Sequence, residues 1–301
     1  MLTYKDEITA FTAPDGVPSV RIAGLSNFLV SQIFDCGQCF RFDPAEDGEA
    51  FEGVAYGRYV RFSQPSPDTL EIYNSTPEDY ENIWRHYLAL DEDYAKIRAD
   101  IASRFDTAAH GKDSVMPTAM EYGSGIRILR QEPWETLCSF IVSQNNNIPR
   151  IKKIIAAMSE RYGEPVASGS RIYYSFPTAE ALVEAGVDGL AALRTGFRAK
   201  YIYDAALRVS DGSLDLCAVS KMTPDGAMEA LCEIKGVGPK VASCAMLFGL
   251  GMTSAFPIDV WIKRVLAKYY PDGLDIGMLG DYAGIAQQYL FYYERYNSSE
   301  R

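Results

Sequence analysis

The sequence predicts an α+β protein, with an N-terminal antiparallel β-sheet domain packed on a mainly α-helical body. Three observations carry that prediction. From about residue 16 to 74, apolar and polar residues alternate between turn residues, the period-two pattern of half-buried strands. From about residue 78 to 294 the period lengthens to helical spacing, with glycine and proline marking the breaks. Inside that second stretch, Lys235-Gly236-Val237-Gly238-Pro239 closes one short helical run and opens another, because proline is favoured at the first position of a helix.

Taken in order, the segments GQCFRF (37–42), EAFEGVAYG (49–57), RYVRFS (58–63) and TLEIYN (69–74) read as strands, with Tyr56-Gly57-Arg58 as a hairpin turn. A helix follows over Glu78–Leu90, with Ser75 or Thr76 ahead of Pro77 as its cap. Further helices are expected over about 92–104, 117–123, 133–144, 148–161, 178–185, 189–194, 198–209, 225–234, 239–249, 259–269 and 278–294. The expected division is residues 1–123 for the sheet domain with its connecting helices, and 124–301 for the helical body. No internal repeat or low-complexity tract interrupts either part.

Composition bounds the function. At 301 residues and 48% apolar content the chain can bury a full core. No run approaches the roughly 18 apolar residues of a membrane span. The start, MLTYKDEITAF, lacks a basic-then-apolar signal pattern, so a cytoplasmic protein is expected, on the nucleoid if the source is bacterial. Six cysteines are scattered, half of them in apolar helical runs, as buried free thiols are. Cys36-x-x-Cys39 has metal-like spacing, yet no second pair or nearby histidine completes a site. The net charge of −11 speaks against a polyanionic partner, but its distribution softens the objection. Residues 124–268 carry 17 Lys/Arg against 14 Asp/Glu, while the flanks are strongly acidic.

The hairpin at 235–239 has specific chemical capacities. Two glycines let a backbone turn sharply and approach a ligand closely. The helix start that follows presents unpaired N–H groups and partial positive charge, which suits a phosphate. Lys240, in the first turn, is expected to feel that field as a push toward the neutral, nucleophilic amine. Nineteen residues on, Pro257-Ile258-Asp259 delivers a carboxylate to another helix start, where the same field is expected to keep it ionised. A Gly-x-Gly turn with an adjacent lysine is common and usually meets only solvent or phosphate. The downstream aspartate is what raises it toward catalysis.

These residues resemble the helix-hairpin-helix (about 225–250) and Gly/Pro-Asp motif of a DNA glycosylase superfamily, and are most similar to its 8-oxoguanine DNA glycosylase/AP lyase family. The resemblance runs from about Asn27 to Glu294 through further ordered motifs: CGQCFRF at 36–42, RILRQEPWETLCSFIVSQNNNIPRI at 127–151, TGFRAKY at 195–201, Val241-Ala242-Ser243-Cys244, and YAGIAQQYLF at 282–291. It implies a bifunctional enzyme, monomeric by default, acting on double-stranded DNA that contains 8-oxoguanine opposite cytosine. Lys240 is implied as the Schiff-base nucleophile and Asp259 as the group facing the oxocarbenium-like charge. Gly37 is implied to read the N7–H of the oxidised base through its main-chain carbonyl. Cys244 and Phe291 would sandwich the flipped base, Gln287 would meet its Watson–Crick edge, and Pro257 would line the pocket. Arg150 and Arg198 are implied on the partner cytosine, Asn145 in the vacated stack, and Phe197 as a wedge at the next step. Gly236, Gly238 and Val241 would contact the DNA backbone. No cofactor is required by the resemblance. It allows a structural monovalent or divalent cation on hairpin carbonyls of Cys232, Ile234 and Val237, and implies no iron–sulfur cluster, since the cysteine quartet of some relatives is missing.

Each residue also has a plainer role on its own: Gly37 as a strand start, the asparagines as a helix-ending turn, the arginines as surface charges. Trp261 is a departure, standing where better-known family members have a histidine near a phosphate. His86 and His110 lie outside the motifs and are assigned no part in catalysis. Two other functions stay open at this point: a glycosylase for another oxidised or alkylated base, and a non-catalytic DNA-binding module. Against the first, monofunctional alkyl-base enzymes of the superfamily lack the hairpin lysine, and oxidised-pyrimidine enzymes usually add the iron–sulfur loop. Against the second, phosphate binding needs neither Lys240 nor Asp259.

Overall fold

The computed structural model describes residues 7–48, 50–107, 115–169 and 171–297. Alternation in the N-terminal third produces six strands: β1 (Glu7–Thr12), β2 (Pro18–Ala23), β3 (Phe42–Pro44), β4 (Ala50–Ala55), β5 (Arg58–Ser66) and β6 (Thr69–Tyr73). They form one antiparallel sheet in the order β1-β2-β6-β5-β4-β3. Val20 faces Ile72, Ile22 faces Leu70, and Phe62 faces Ile72 across the ladders, so one face is continuous and apolar. All five of these side chains are fully buried. What covers them is a short helix, Val30–Asp35, and the helical stretch Pro77–Tyr87. Phe34 stacks on Phe62 at 5.2 Å and Trp84 meets it edge-on at 5.7 Å. The expected cap at Thr76 is present as a capping box, with Asp79 N donating to Thr76 Oγ1 at 3.1 Å and Thr76 N to the Asp79 carboxylate at 3.0 Å.

Several elements differ from expectation. Residues 36–41 are a loop where GQCFRF reads as a strand, and only Phe42–Pro44 joins the sheet. The apolar–polar alternation of this segment reflects side chains packing to two sides of an irregular chain. Gly37, at φ +78°, leaves the extended region, and the buried amide of Gln38 replaces a ladder. Gln38 Nε2 donates to the Ile33 and Arg127 carbonyls at 3.0 and 2.8 Å, and its Oε1 accepts from Leu129 N at 2.8 Å. Strand β1, the helix Val30–Asp35 and a small hairpin (Pro165–Ser168 with Arg171–Tyr174) were not anticipated individually. By contrast, the two helices expected over 178–194 are found within Ala179–Ala192, parted where Gly186 leaves the helical region at φ +66° and ψ 174°. The last expected helix divides into a 3₁₀ stretch, Ile276–Tyr282, and the helix Ala283–Asn297.

The body is built round the helix Pro133–Ser143, whose residues from Thr136 to Val142 are all buried. A helix apolar on every side belongs in an interior, and this one packs against Pro239–Phe248 and Ala199–Ser210. Helices Tyr94–Thr107 and Val115–Tyr122 share this core, while the sheet and its covering helices hold a second apolar cluster. Arg127, buried at the junction, stitches Ser26, Asn27 and Ala89 carbonyls together at 3.0, 3.0 and 2.6 Å. All six cysteines are free thiols. No helix among the described residues is long and apolar enough to cross a membrane. His86 is exposed beside Arg130 and Asp91, away from the cavity described below, and His110 lies outside the described residues.

The hairpin joins the helices Pro224–Cys232 and Pro239–Phe248. Its two glycines have different reasons. Gly236 sits at φ +77°, and a Cβ there would fall 2.4 Å from the Tyr201 ring. Gly238 has ordinary negative φ, and a Cβ would meet nothing within 4 Å. Gly236→Ala is therefore expected to destabilise the fold by about 2 kcal/mol or more, from strain and overpacking together. Gly238→Ala should cost well under that; thermal unfolding of the two variants side by side checks the contrast.

Candidate active site

The candidate catalytic side chains are placed by helix ends. Gly238 is the N-cap and Pro239 the first residue of the helix Pro239–Phe248, so Lys240 projects from its first turn. Asp259 is the N-cap of the helix Val260–Tyr269, its carboxylate accepting from Trp261 N at 3.0 Å and Ile262 N at 2.9 Å. Both helix starts open on a single cavity of about 970 Å³. Lys240 Nζ lies 3.1 Å from Ser143 Oγ and 5.5 Å from the centre of the Phe140 ring. Among the described residues no carboxylate is ion-paired with it. The amine and the carboxylate thus face one cavity without closing on each other.

The pKa of Asp259 corrects one expectation. Burial raises it above the usual carboxylate value, outweighing the two helix amides and the nearby Lys240 charge that lower it. The helix field alone suggested the opposite direction; desolvation by the cavity wall decides it. Cys244, one turn beyond Lys240, is pushed up to about 11 by burial, against the pull of the lysine charge. It is therefore a neutral thiol at physiological pH, an apolar piece of wall rather than a second nucleophile.

The structure brings most of the sequence-derived residues to this cavity. Gly37, Cys244, Gln287 and Phe291 line it, as do Pro257, Gly238, Val241 and Asn145. Gly37 lies against Phe291, whose ring would be 3.4 Å from any Cβ at that position. Gln287 and Phe291 share a face of the helix Ala283–Asn297, four residues apart. The Gln287 side chain is buried, and among the described residues its Oε1 has no hydrogen-bond partner. An unpaired buried acceptor costs about 1–3 kcal/mol unless a ligand supplies the donor.

Other predicted residues lie outside the cavity lining: Arg150, Phe197, Arg198 and Gly236, together with Cys232, Ile234 and Val237 of the hairpin. Arg198 is buried, and its guanidinium donates to the carbonyls of Gln144, Asn145 (2.9 Å) and Thr195 (3.1 Å). Burial and the neighbouring Arg150 charge both lower its pKa. Arg150 is exposed, with Nη2 3.4 Å from the Arg194 carbonyl. Phe197 is 51% exposed, edge-on to Tyr201 at 5.8 Å, with the Arg198 guanidinium 4.5 Å from its ring centre. The three asparagines divide the turn between them. Asn145 takes a left-handed φ of +47°, Asn146 bonds back to the Val142 carbonyl, and Asn147 caps the helix Ile148–Tyr162. Trp261 lines the cavity, with the exposed Arg264 guanidinium 4.7 Å from its ring centre.

Sequence reasoning missed Ser143, Phe140, Gln288 and Arg295, all on the cavity wall. For Ser143 no local signal exists, since it stands 97 residues from Lys240. Arg295 was within reach: it extends the Gln287–Phe291 face by one more step of four.

Comparisons with known proteins cover both parts of the chain. Residues 22–137 match the 8-oxoguanine DNA glycosylase N-terminal domain, and residues 138–273 match the HhH-GPD superfamily of base excision DNA repair proteins. The N-glycosylase/DNA lyase of Saccharomyces cerevisiae is 38% identical over 158 residues, 48% of this chain but only 42% of the yeast protein. Among solved structures, MBOgg1 in complex with a low-affinity DNA ligand is 40% identical, covers 97% of this chain and 99% of its own, and has a TM-score of 0.87. The 8-oxoguanine glycosylase/lyase of Clostridium acetobutylicum, bound to double-stranded DNA with cytosine opposite 8-oxoguanine, is 37% identical with the same coverages and TM-score. With likeness over nearly the full length, the chain belongs to the 8-oxoguanine DNA glycosylase family of the helix-hairpin-helix superfamily, a family of DNA N-glycosylase/lyases.

Proposed function

We propose that this protein excises 8-oxoguanine opposite cytosine from double-stranded DNA, acting as a monomer through a Schiff base on Lys240. The observation that carries the reading is the convergence of Lys240, Asp259, Gly37, Gln287 and Phe291, from four separate parts of the chain, on one cavity sized for a flipped nucleoside. In this reading Lys240 Nζ bonds to C1′ as the bond from C1′ to the base nitrogen breaks, the base leaving with that electron pair. The ionised Asp259 faces the positive charge that develops on the sugar. Opening of the sugar ring leaves a Schiff base, which acidifies the C2′ proton; its loss expels the 3′ phosphate and cuts the strand.

Base recognition follows from the wall. The Gln287 acceptor suits the N–H donors of a guanine Watson–Crick edge, and Phe291 and Cys244 supply the flat apolar faces. The Gly37 carbonyl would accept from N7–H, a donor that undamaged guanine lacks. On the other strand, Arg150 and Arg198 would meet the O2 and N3 acceptors of cytosine. Asn145, held by Arg198 through its carbonyl, would fill the gap in the stack, with Phe197 as the wedge beside it. Gly236, Gly238 and Val241 would carry the hairpin along a phosphate. The carbonyls of Cys232, Ile234 and Val237 would hold a structural cation there, carbonyl oxygens being donors that a hard cation takes; in this turn Ile234 O also accepts from Val237 N at 3.0 Å.

The test is borohydride trapping on duplexes with 8-oxoguanine opposite cytosine, the same lesion opposite adenine, and undamaged guanine. A covalent adduct is expected on the first, formed at least about tenfold more slowly on the second given one mismatched contact set, and absent from the third. Free base released without any adduct would make the enzyme monofunctional. Neither base release nor adduct would move the substrate to another lesion.

A further inference from the structure

We propose that Gln288 and Arg295 are positioning residues that aim the Gly37 carbonyl, and so set how strongly the enzyme distinguishes 8-oxoguanine from guanine. The proposal rests on the reading of Gly37 as the acceptor for N7–H. Gly37 stands in the loop 36–41, where no sheet ladder holds the backbone, and its φ of +78° is one of several conformations a glycine adopts easily. A carbonyl that must tell a donor from a lone pair cannot be left free to rotate.

The carbonyls on either side of it are each fixed by a side chain from elsewhere. Asp35 O accepts from Arg295 Nη1 at 2.7 Å, Cys36 O from Gln288 Nε2 at 2.6 Å, and Gln38 O from Gln131 Nε2 at 2.8 Å. Among the described residues, no protein donor occupies the Gly37 carbonyl itself. Two of the three fixing groups come from the helix that also carries Gln287 and Phe291. The helix that presents the Watson–Crick reader and the stacking ring therefore also holds the loop that presents the N7 reader, which fixes the distance between them. Gln288 is 2% exposed, so its loss leaves the Cys36 carbonyl buried and unpaired, and the adjoining peptide gains freedom to turn.

Rotation of that peptide weakens the attraction to N7–H and the repulsion of guanine N7 together. Its effect falls on base choice and base release. Cleavage at a preformed abasic site, which has no base to read, does not depend on it.

The experiment uses the full chain carrying Gln288→Leu, with Arg295→Leu as a second variant at the partly exposed end of the strap and Arg295→Lys as its conservative rescue. Single-turnover excision is measured on duplexes with 8-oxoguanine and with guanine, and strand cleavage on the same duplex with a preformed abasic site. Thermal unfolding is followed in parallel. Gln288→Leu is expected to lower 8-oxoguanine excision about tenfold and to narrow the 8-oxoguanine-to-guanine ratio, a loss the size of one buried hydrogen bond. Abasic-site cleavage should stay within about twofold, less than 0.5 kcal/mol in the barrier. If Gln288→Leu does not fold, Arg295→Leu carries the test, with a smaller loss in the same direction and recovery in Arg295→Lys. An unchanged ratio in folded variants, or parallel loss of excision and abasic-site cleavage, overturns the proposal alone. A wild-type enzyme that cuts abasic sites but does not prefer 8-oxoguanine overturns the reading of Gly37 beneath it.

Discussion

Lys240→Gln is expected to abolish the borohydride-trapped adduct and to slow base release by at least about 10³-fold, because an amide has no nucleophilic nitrogen to replace the amine. The variant should fold, since the side chain emerges from the first turn of its helix and hydrogen-bonds Ser143 without an ion pair to any carboxylate of the described residues. It should also still bind the damaged duplex, as the wall proposed to meet the base (Gly37, Cys244, Gln287 and Phe291) is untouched. Gel-shift and trapping assays on the same preparation separate these properties. A Lys240→Gln protein that traps DNA as well as the wild type would remove the nucleophile from the mechanism. One that neither binds nor folds would show a structural lysine instead.

Asp259→Asn is expected to cost about 10²–10³-fold in excision, the scale of losing one preorganised electrostatic partner of a developing charge. Its effect on stability should run the other way. The folded structure raises the pKa of Asp259, so the native state holds that proton more tightly than the unfolded chain does. Ionising the group therefore costs stability as pH rises through the folded value, and the cost is absent below the unfolded value. Asparagine keeps the N-cap bonds to Trp261 N and Ile262 N without the buried charge, so the unfolding midpoint at neutral pH should be unchanged or higher. The raised pKa also moves the acid limb of wild-type activity above pH 3.8, where an ordinary aspartate titrates, and the limb should vanish from the residual activity of the variant. Wild-type rates in a stable Asp259→Asn protein would refute the electrostatic assignment.

These two residues were legible because each announces itself locally. Pro239 fixes the start of one helix and Asp259 caps another, and cap chemistry depends on neighbours only a few positions away. The sheet was legible for the same reason, since alternation reports which face of a strand is dry. The segment 36–41 misled: a loop packed on both sides alternates like a strand, and only the Gln38 amide, bonded to residues 33, 127 and 129, shows what holds it. The pKa of Asp259 misled too, because the helix field is readable in sequence whereas the burial that outweighs it comes from distant elements.

By itself, then, the sequence determined the succession of strands and helices, the placing of the amine and the carboxylate at helix starts, and the family to which those motifs belong. All of these arise from short-range backbone preferences and from residues fixed in order along the chain. Only the tertiary structure decided what surrounds them: Ser143 beside Lys240, Arg198 beneath Gln144 and Asn145, and Gln288 on Cys36 across 252 positions. A side-chain hydrogen bond needs its partner within about 3 Å in space. Periodicity tells which residues turn inward, and says nothing of which distant donor they will find there.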